Sequence, residues 1–423
     1  MSEPTAVAYV ELGGATRLVG RLFVSAARGR ESATFEYDES WIAAEDRFAL
    51  EPALIVSAGP YHTAPGRMMF GALGDSAPDR WGQTLLRRDE RRRAKAEGRA
   101  PHTLRDIDFL LGVTDTVRQG ALRFAAHEGG EFLAAETGVA VPPLVDLPRL
   151  LAATDRFSAD EESADDLRLL LAPGSSLGGA RPKASVRDID GTLLIAKFPK
   201  PDDEYRVVAW EAVALELARR AGIPVEQFRL DDVADREVLL VHRFDRQGTR
   251  RVPFLSAMSM LGSTDGEPRS YPEIADALRA HGAAPRSDLP DLWRRMVFSV
   301  LISNTDDHLR NHGFLYAGGA GWRLSPAYDL NPVPVDIRPR VLSTPIAIDL
   351  DPTASIDLAI DVAEFFDLTP HRARAIAADV ASATRQWRDV AMGFGIRRQE
   401  IDRMESAFEH ADLTRALAWC TAS

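Results

Sequence analysis

The sequence predicts an α+β fold with a β-rich N-terminal part, a small α/β middle region and a mainly helical C-terminal half. Three patterns predict it. Residues 7–12 and 17–24 alternate apolar and polar side chains around two adjacent glycines, which is typical of a β-hairpin. Residues 206–221 carry apolar side chains at helical spacing. Beyond Ser256, apolar side chains again recur mostly at helical spacing.

The length and composition are those of a packed protein. The chain has 423 residues, of which 45% are apolar and 27% charged, so an ordinary core is expected. A net charge of −12 argues against nucleic-acid binding through the overall electrostatic field of the protein. Cys420 is the single cysteine, no basic and apolar leader opens the sequence, and no run approaches the ~18 apolar residues of a membrane span. We therefore expect a cytoplasmic protein that does not enter membranes.

Further elements follow in order along the N-terminal part. Residues 34–37 repeat the strand pattern, and the pattern becomes helical from Phe70. Residues 87–99 carry seven basic and three acidic side chains, so this segment is either a solvated helix face or a surface for a partner or a phosphate. Two adjacent prolines within residues 139–148 indicate a linker.

The rest of the chain gives stronger secondary-structure signals. The predicted elements are a helix over 163–171 and strands over 184–187, 192–198 and 238–244. Gly222 ends the helix over 206–221. Pro370 behind Thr369 is typical of a helix start and predicts a helix that runs towards Met392.

The first segment that carries chemistry is GSSLGGARPK, residues 174–183. Its glycines let backbone N–H groups approach an anion closely, and Lys183 adds a positive charge. It is not a Walker A loop, because the GK[ST] ending and the following helix are missing. A Gly-rich loop beside strands covers the ATP phosphates in protein kinases, and the alternative is a plain surface turn.

Lys197 lies among apolar residues in the strand that follows. Burying an unpaired ammonium is costly, so this lysine needs an anionic partner or a ligand. Glu211 lies on the next helix, and protein kinases pair such a lysine and glutamate to hold the α- and β-phosphates. An ordinary structural ion pair would explain the two residues equally well.

The most informative segment is LISNTDDHLRNHGFLY, residues 301–316, which follows an apolar helix. Asp306 and Asn311 are five residues apart, the spacing of the aspartate and asparagine in the kinase catalytic loop. There the carboxylate accepts the proton of the substrate hydroxyl and the amide oxygen binds magnesium. Asp307 is adjacent to Asp306 but does not have the five-residue spacing to Asn311. Asp329, in the later segment LSPAYDLNP, supplies a second hard oxygen ligand for magnesium.

Together these segments resemble the HipA-like serine/threonine kinases, the toxin components of bacterial toxin–antitoxin pairs. The matching segments are SSLGGARPK (175–183), Lys197, HRFDR (242–246), NTDDHLRNHGF (304–314) and SPAYDLNP (325–332). FGALGDSAPDRWG (70–82) is similar to the accessory domain of that family. The resemblance implies a protein-kinase-like two-lobed fold. Its parts would be an accessory subdomain (1–138), an N-terminal lobe with Gly-rich loop and hinge (149–248) and a helical C-terminal lobe (249–423).

The resemblance also implies roles for individual positions. Asp306 would be the catalytic base, and Asn311 and Asp329 would hold Mg²⁺. Residues His242 to Phe244 would form the hinge against adenine, and Ser176, or Ser175 beside it, would be autophosphorylated. The residues expected to bind ATP are Ser176, Gly178, Gly179, Ala180, Lys183, Lys197, Glu211, His242, Phe244, His308, Asn311, Tyr328 and Asp329.

The partners implied by the resemblance are macromolecules. They are a small helix-turn-helix antitoxin of the HipB type, DNA mainly through that antitoxin, and a protein substrate with a Ser/Thr acceptor, such as an aminoacyl-tRNA synthetase. Two other functions stay open. One is an inactive interaction module in an antitoxin–DNA repressor complex. The other is a metallohydrolase that uses Asp306, His308, His312 and Asp329.

Overall fold

A computed structural model describes residues 3–27, 30–133, 141–172 and 179–421. The chain divides into two compact units. The first unit comprises Met1–Asp202 and Asp231–Leu255, and the second comprises Asp203–Leu230 and Ser256–Ser423. The predicted division into three domains stays a prediction.

The described residues of the first unit form two larger sheets and six α-helices. Its strands are β1 (Ala6–Leu12), β2 (Ala15–Ala27), β3 (Arg30–Tyr37), β4 (Pro60–His62), β5 (Leu122–Ala125), β6 (Lys183–Arg187), β7 (Leu193–Lys197), β8 (Phe228–Val233), β9 (Arg236–His242), β10 (Arg246–Gln247), β11 (Arg250–Arg251) and β12 (Phe254–Ser256). Its helices are α1 (Glu39–Ala43), α2 (Gly71–Asp75), α3 (Arg80–Ala96), α4 (Asp106–Leu111), α5 (Leu147–Ser158) and α6 (Ala164–Leu171). The chain crosses between the units within β8 and at the end of β12.

The N-terminal sheet has the strand order β4-β3-β2-β1-β5, with antiparallel neighbours. The predicted hairpin is confirmed: β1 and β2 meet at Gly13 and Gly14, whose φ angles of 57° and 88° suit glycine. Val10, Leu22 and Phe35 are fully buried on this sheet.

The second sheet has the order β6-β7-β9-β8 and shares a core with three helices. Ala184 and Val186 of β6 and Leu194 and Ala196 of β7 face that core, together with residues of α3, α5 and α6. Because neighbouring residues of a strand point to opposite faces, Lys197 lies on the other face of this sheet.

The second unit is mainly helical. Its helices are α7 (Val207–Arg220), α8 (Ala257–Met260), α9 (Tyr271–His281), α10 (Pro285–Leu301), α11 (Ile356–Asp361), α12 (Pro370–Thr384), α13 (Trp387–Gly393), α14 (Arg398–Arg403), α15 (Glu405–Phe408) and α16 (Ala411–Ala418). A hairpin of β13 (Gly313–Tyr316) and β14 (Trp322–Leu324) lies between α10 and α11. Trp210 of α7 packs against Trp387 and Phe408, and its indole N–H donates to Glu400. The predicted α+β content is therefore present.

One helix boundary departs from the prediction. The helix that begins at Pro370 ends at Thr384 and not near Met392, and α13 begins separately at Trp387. The ring of Trp387 stacks on Phe408 at 4.6 Å. This tertiary contact is made by α13, and the spacing of apolar residues along the sequence could not show it. The predicted helix over 163–171 is confirmed as α6, with Ser163 and Asp166 forming its capping box.

The basic segment 87–99 lies mostly on α3, and three of its seven basic side chains, those of Arg88, Arg93 and Arg99, pair with acidic groups. Arg88 contacts Asp160 and Glu162, and Arg99 contacts Glu90. These pairs favour the solvated helix face over a phosphate-binding surface.

In the described ranges, no helix has both the length and the apolar character needed to cross a membrane.

Glu51 is a buried carboxyl whose titration should appear in the stability of the protein. It is 2% exposed and accepts a hydrogen bond from the Ala72 N–H at 2.6 Å. Burial raises its pKa to about 7. The pKa of Glu51 is higher in the folded protein than in the unfolded chain. The free energy of unfolding therefore falls as the pH rises from about 4.5, the ordinary value, to about 7, the folded value.

We therefore expect Glu51→Gln, which retains the acceptor without the charge, to be more stable than the wild type at pH 8 by ~1–3 kcal/mol. The gain should vanish near pH 4.5. Urea unfolding at both pH values measures it, with the exposed Glu128→Gln as control. Equal stability of Glu51→Gln and the wild type at pH 8 would contradict the prediction.

Candidate active site

The predicted catalytic loop follows the buried helix α10 in the second unit. Ser303 begins it with a φ of 53°, a left-handed conformation that is uncommon outside glycine. Its hydroxyl donates to the Ala407 carbonyl at 2.8 Å. The hydroxyls of Ser343 and Thr344 donate to the carbonyls of Thr305 and Asp307. The backbone of the loop is thus held from two sides.

The two adjacent aspartates have different environments. Asp307 is buried, accepts a hydrogen bond from the Tyr271 hydroxyl, and lies 2.9 Å from His312 Nε2. Burial alone would raise its pKa, but His312 and Tyr271 outweigh burial and the pKa lies below its usual range. Asp306 is 58% exposed, and its carboxylate lies 3.5 Å from the Arg338 guanidinium. Asp307 is therefore a structural group, and Asp306 is the carboxylate that is accessible to solvent.

Asn311 ends a short 3₁₀ turn and points back to the aspartate pair. Its side-chain N–H donates to the Asp306 carbonyl at 2.9 Å. Since the NH₂ group is used in this way, the carboxamide presents its oxygen as the ligand atom. His308 lies between these residues, and its Nδ1 is buried without a hydrogen-bond partner in the described part of the chain.

The Asp329 segment lies directly beside the catalytic loop. Tyr328 donates its hydroxyl to the Arg310 carbonyl at 2.7 Å. Further along, the N–H of Asn331 donates to Asn304 Oδ1, and the N–H of Val333 donates to the Ser303 carbonyl. Three hydrogen bonds thus join residues that are 18 to 30 positions apart, and Asp329 is carried to the loop that holds Asn311.

Asp329 itself has a φ of 54°. Aspartate tolerates this left-handed conformation better than most residues, but it still carries a conformational cost that is common at functional sites. A carboxylate and a carboxamide oxygen on adjoining segments are the hard ligands that Mg²⁺ prefers. The residues present therefore fit magnesium.

The alternative metal site does not assemble. His312 is buried, and its Nε2 lies against Asp307, which is not among the expected ligands. Across the described ranges, no three His, Cys, Asp or Glu side chains are arranged to hold a metal ion. This arrangement counts against the metallohydrolase.

In the first unit, the predicted phosphate-binding lysines lie on neighbouring strands. Lys183 of β6 and Lys197 of β7 are directly opposite each other in the antiparallel register. Lys197 is half-buried. Lys183 differs from the expectation: its ammonium is buried and lies 3.1 Å from the Asp79 carboxylate. Glu211 lies in the second unit, buried on α7.

Only part of the predicted Gly-rich loop can be placed. Ser175, Ser176 and Gly178 lie outside the described residues. Gly179 has a φ of 90°, and its carbonyl accepts a hydrogen bond from the Trp81 N–H at 3.3 Å. Ala180 is exposed. The roles predicted for these residues stay predictions.

The predicted hinge lies at the end of β9. His242 pairs with Leu194, three residues along β7 from Lys197, which is a distance of about 10 Å at ~3.3 Å per residue. In this register the His242 side chain lies on the face opposite to that of Lys197. The backbone of the hinge, and not this imidazole, is therefore the better candidate for adenine contacts. Phe244 packs against Phe254.

The remaining residues of HRFDR form a buried ionic network that the sequence did not indicate. Arg243 forms two hydrogen bonds to Asp245, and it also donates to the Val117 carbonyl at 2.7 Å. Asp245 accepts from the Gly120 N–H as well. Burial alone would raise the pKa of Asp245, but Arg243 and Arg246 hold this pKa well below its usual range. The network fixes the end of β9 to residues 117–120.

A comparison with protein families decides the relationship. Residues 175–388, half of the chain, match the HipA-like C-terminal domain. The chain belongs to the HipA-like family. HipA-like relatives include a Sinorhizobium fredii protein named "Putative kinase Y4mE", which is 24% identical over 323 residues covering 70% of this chain and 71% of that protein. A Haemophilus influenzae protein named "Putative kinase" is 22% identical over 200 residues, 41% of this chain and 58% of that protein.

A solved structure agrees with this HipA-like assignment. It is a chain from the Shewanella oneidensis complex of the toxin–antitoxin proteins HipA and HipB with operator DNA. It matches with a TM-score of 0.64 and 17% identity over 98% of this chain and 97% of that chain. At this identity the likeness shows the fold. The predicted fold class and family are confirmed.

Sequence reasoning missed the residues that support this HipA-like site. Asp307 was set aside on register alone, although its burial explains why Asp306 remains available. Asp79 was not singled out, and its signal was an aspartate after a proline at the start of a helix. Tyr271 gave no signal, because its partner lies 36 residues away.

Asp307→Asn should destabilise the protein, whereas Asp306→Asn should not. Removing one partner of a buried ion pair costs ~3–5 kcal/mol, but an exposed pair such as Asp306–Arg338 contributes less than ~1 kcal/mol. Because the pKa of Asp307 is lowered below its ordinary value of about 4, its contribution is complete at neutral pH and is lost only as the pH falls from that value through the lower folded pKa. Urea unfolding at pH 7 and pH 3 tests both points. Equal stabilities of the two variants at pH 7 would contradict the assignment.

Proposed function

We propose that the chain is a Mg²⁺- and ATP-dependent serine/threonine kinase that phosphorylates a protein hydroxyl. The observation that carries this proposal is the joining of two polar segments in the second unit. Asp306 and Asn311 lie on one segment and Asp329 on the other, and hydrogen bonds from Tyr328, Asn331 and Val333 connect them. A solvated loop has no need of this arrangement.

Asp306 would act as the general base. Its exposed carboxylate would orient the acceptor hydroxyl and take its proton as the hydroxyl oxygen bonds to the γ-phosphorus. The bond from that phosphorus to the bridging oxygen breaks, and ADP leaves with the electron pair. Asp307 would keep the loop in place through Tyr271 and His312, so that the neighbouring carboxylate does not swing away.

Asn311 and Asp329 would hold the metal. When bound there, the metal would supply neutralisation of phosphate charge during transfer. The left-handed backbone at Asp329 and the hydrogen bond from Asn311 to the Asp306 carbonyl would fix their ligand oxygens beforehand.

The first unit would supply most of the nucleotide contacts. Lys197 would bind the phosphates, while Gly179 and Ala180 would approach them through backbone N–H groups. Glu211, on α7, would keep the nucleotide-binding role that the resemblance implies. The hinge backbone from His242 to Phe244 would contact adenine. Tyr328 and His308 would line the nucleotide. Within the described residues, the His308 Nδ1 is buried without a hydrogen-bond partner.

We also propose a toxin-like role with a helix-turn-helix antitoxin of the HipB type. The support is the family membership and the solved structural neighbour, which is an assembly of HipA, HipB and operator DNA. The net charge of −12 and the paired basic side chains of α3 favour DNA contact through such a partner. The protein substrate, for which the resemblance suggests an aminoacyl-tRNA synthetase, and a cytoplasmic location belong to the same proposal.

Asp306→Asn should lower the rate of phosphate transfer from labelled ATP by roughly 10²–10⁴-fold, the usual contribution of a positioned base. ATP affinity should change little, because this side chain contacts the acceptor hydroxyl. Transfer to a purified acceptor and to the chain itself measures the rate. The variant is expected to fold as the wild type does, so a transfer rate equal to that of the wild type would remove Asp306 from the mechanism.

Autophosphorylation should be lost when Ser175 and Ser176 are both replaced by alanine. A phosphate at either position would add about −1.5 to −2 charges near the phosphates of ATP and would weaken nucleotide binding. Mass spectrometry after incubation with Mg²⁺ and ATP locates the modification, with the two single variants separating the serines. Undiminished incorporation into the double variant would place the acceptor elsewhere.

A further inference from the structure

Asp79 and Lys183 form a buried ion pair that connects residues 104 positions apart in the first unit. Their charged atoms are 3.1 Å apart, and the side chains are 4% and 3% exposed. Two charges this well removed from water are tolerated only when their geometry is good and further hydrogen bonds support them. The surroundings of Asp79 supply such a bond.

The carboxylate of Asp79 performs two tasks with two oxygens. Oδ1 accepts from the Gly82 N–H at 2.8 Å and caps the start of α3, while Oδ2 contacts the Lys183 ammonium. A negative charge at the N-terminus of a helix is itself favourable. The lysine is therefore attached to a group that the helix already holds in one orientation.

Trp81, two residues later, holds the backbone of the same stretch. Its indole N–H donates to the Lys183 carbonyl at 3.0 Å, and its backbone N–H donates to the Gly179 carbonyl at 3.3 Å. The ring is buried and packs edge-on against Phe157 at 4.8 Å. Both ends of residues 179–183, which lead from the Gly-rich segment into β6, are thus bound to the first turn of α3.

The position of Lys197 gives this contact a consequence for ATP. Lys183 and Lys197 are directly opposite on β6 and β7, so their side chains share one face of the sheet. Two ammonium groups in such positions repel each other, and the Asp79 carboxylate compensates one of them.

We propose that Asp79 is a positioning residue for the nucleotide, and that Lys183 is the anchor it holds and not a ligand of the ATP phosphates. Asp79 and Trp81 set the position of residues 179–183 and relieve the repulsion of Lys197. This inference rests on the proposed function, because it concerns ATP binding.

A double-mutant cycle separates an anchor from a ligand. Asp79→Asn and Lys183→Gln each leave one buried charge without its partner, whereas the double variant replaces both charges by amides of similar size. The dissociation constant of a non-hydrolysable ATP analogue with Mg²⁺, measured by calorimetry well below the melting temperature, is the readout. Asp165→Asn, in an exposed ion pair of α6, is the matched control and should bind as the wild type does.

We expect each single variant to bind the analogue about tenfold or more weakly, and the double variant to return to within about threefold of the wild type, a recovery of roughly 0.7 kcal/mol or more. A double variant as weak as Lys183→Gln would show that Lys183 binds phosphate directly. Wild-type affinity in folded single variants would show that the pair serves stability only. Either result overturns the inference.

Two further measurements keep the test decisive. If Asp79→Asn does not fold, the double variant still gives the answer, because it contains no unpaired charge. Lys183→Arg, which keeps the charge and the reach to Asp79, should retain the affinity under this proposal. Failure of the wild type itself to bind the analogue would instead overturn the proposed function.

Discussion

An ionised group buried without a partner is too costly for a folded protein, and this constraint fixes the loop that carries Asp306 and Asn311. Asp307 carries its charge beneath the loop and is held by Tyr271 and His312. If the loop moved, that carboxylate would lose both contacts at once. The adjacent Asp306 therefore projects into solvent from a backbone that cannot shift freely, as a general base needs.

The same constraint operates in the first unit at two other places. Arg243 and Asp245 fix the end of β9 to the segment around Gly120, and Asp79 and Lys183 fix the start of β6 to α3. Each pair joins a strand of the sheet that carries Lys197 to residues from the N-terminal third of the chain. The N-terminal part is accordingly built into this unit through buried charge as well as through the shared core of α3, α5 and α6.

The features that the sequence predicted are those encoded by nearby residues. Hairpins, capped helices and the five-residue spacing of Asp306 and Asn311 need no knowledge of distant contacts. The break after Thr384 could not be predicted, because no glycine or proline marks it, and the contact of Trp387 with Phe408 beyond it joins residues distant in sequence. The pairing of Lys183 with Asp79 was equally inaccessible: a lysine after a Gly-rich segment predicts a phosphate ligand until the opposing carboxylate is known.

These contacts also explain why a motif alone assigns lysines poorly. Lys183 and Lys197 are directly opposite each other, and each looks like a phosphate ligand when its own strand is considered. Their environments differ. The Lys183 side chain is 3% exposed and contacts the Asp79 carboxylate, which caps a helix, whereas Lys197 is half-buried. An ammonium already compensated and desolvated by the protein gains little from a phosphate, because moving it would leave Asp79 buried and unpaired. The physical distinction between anchor and ligand therefore lies with the aspartate 104 residues earlier in the chain.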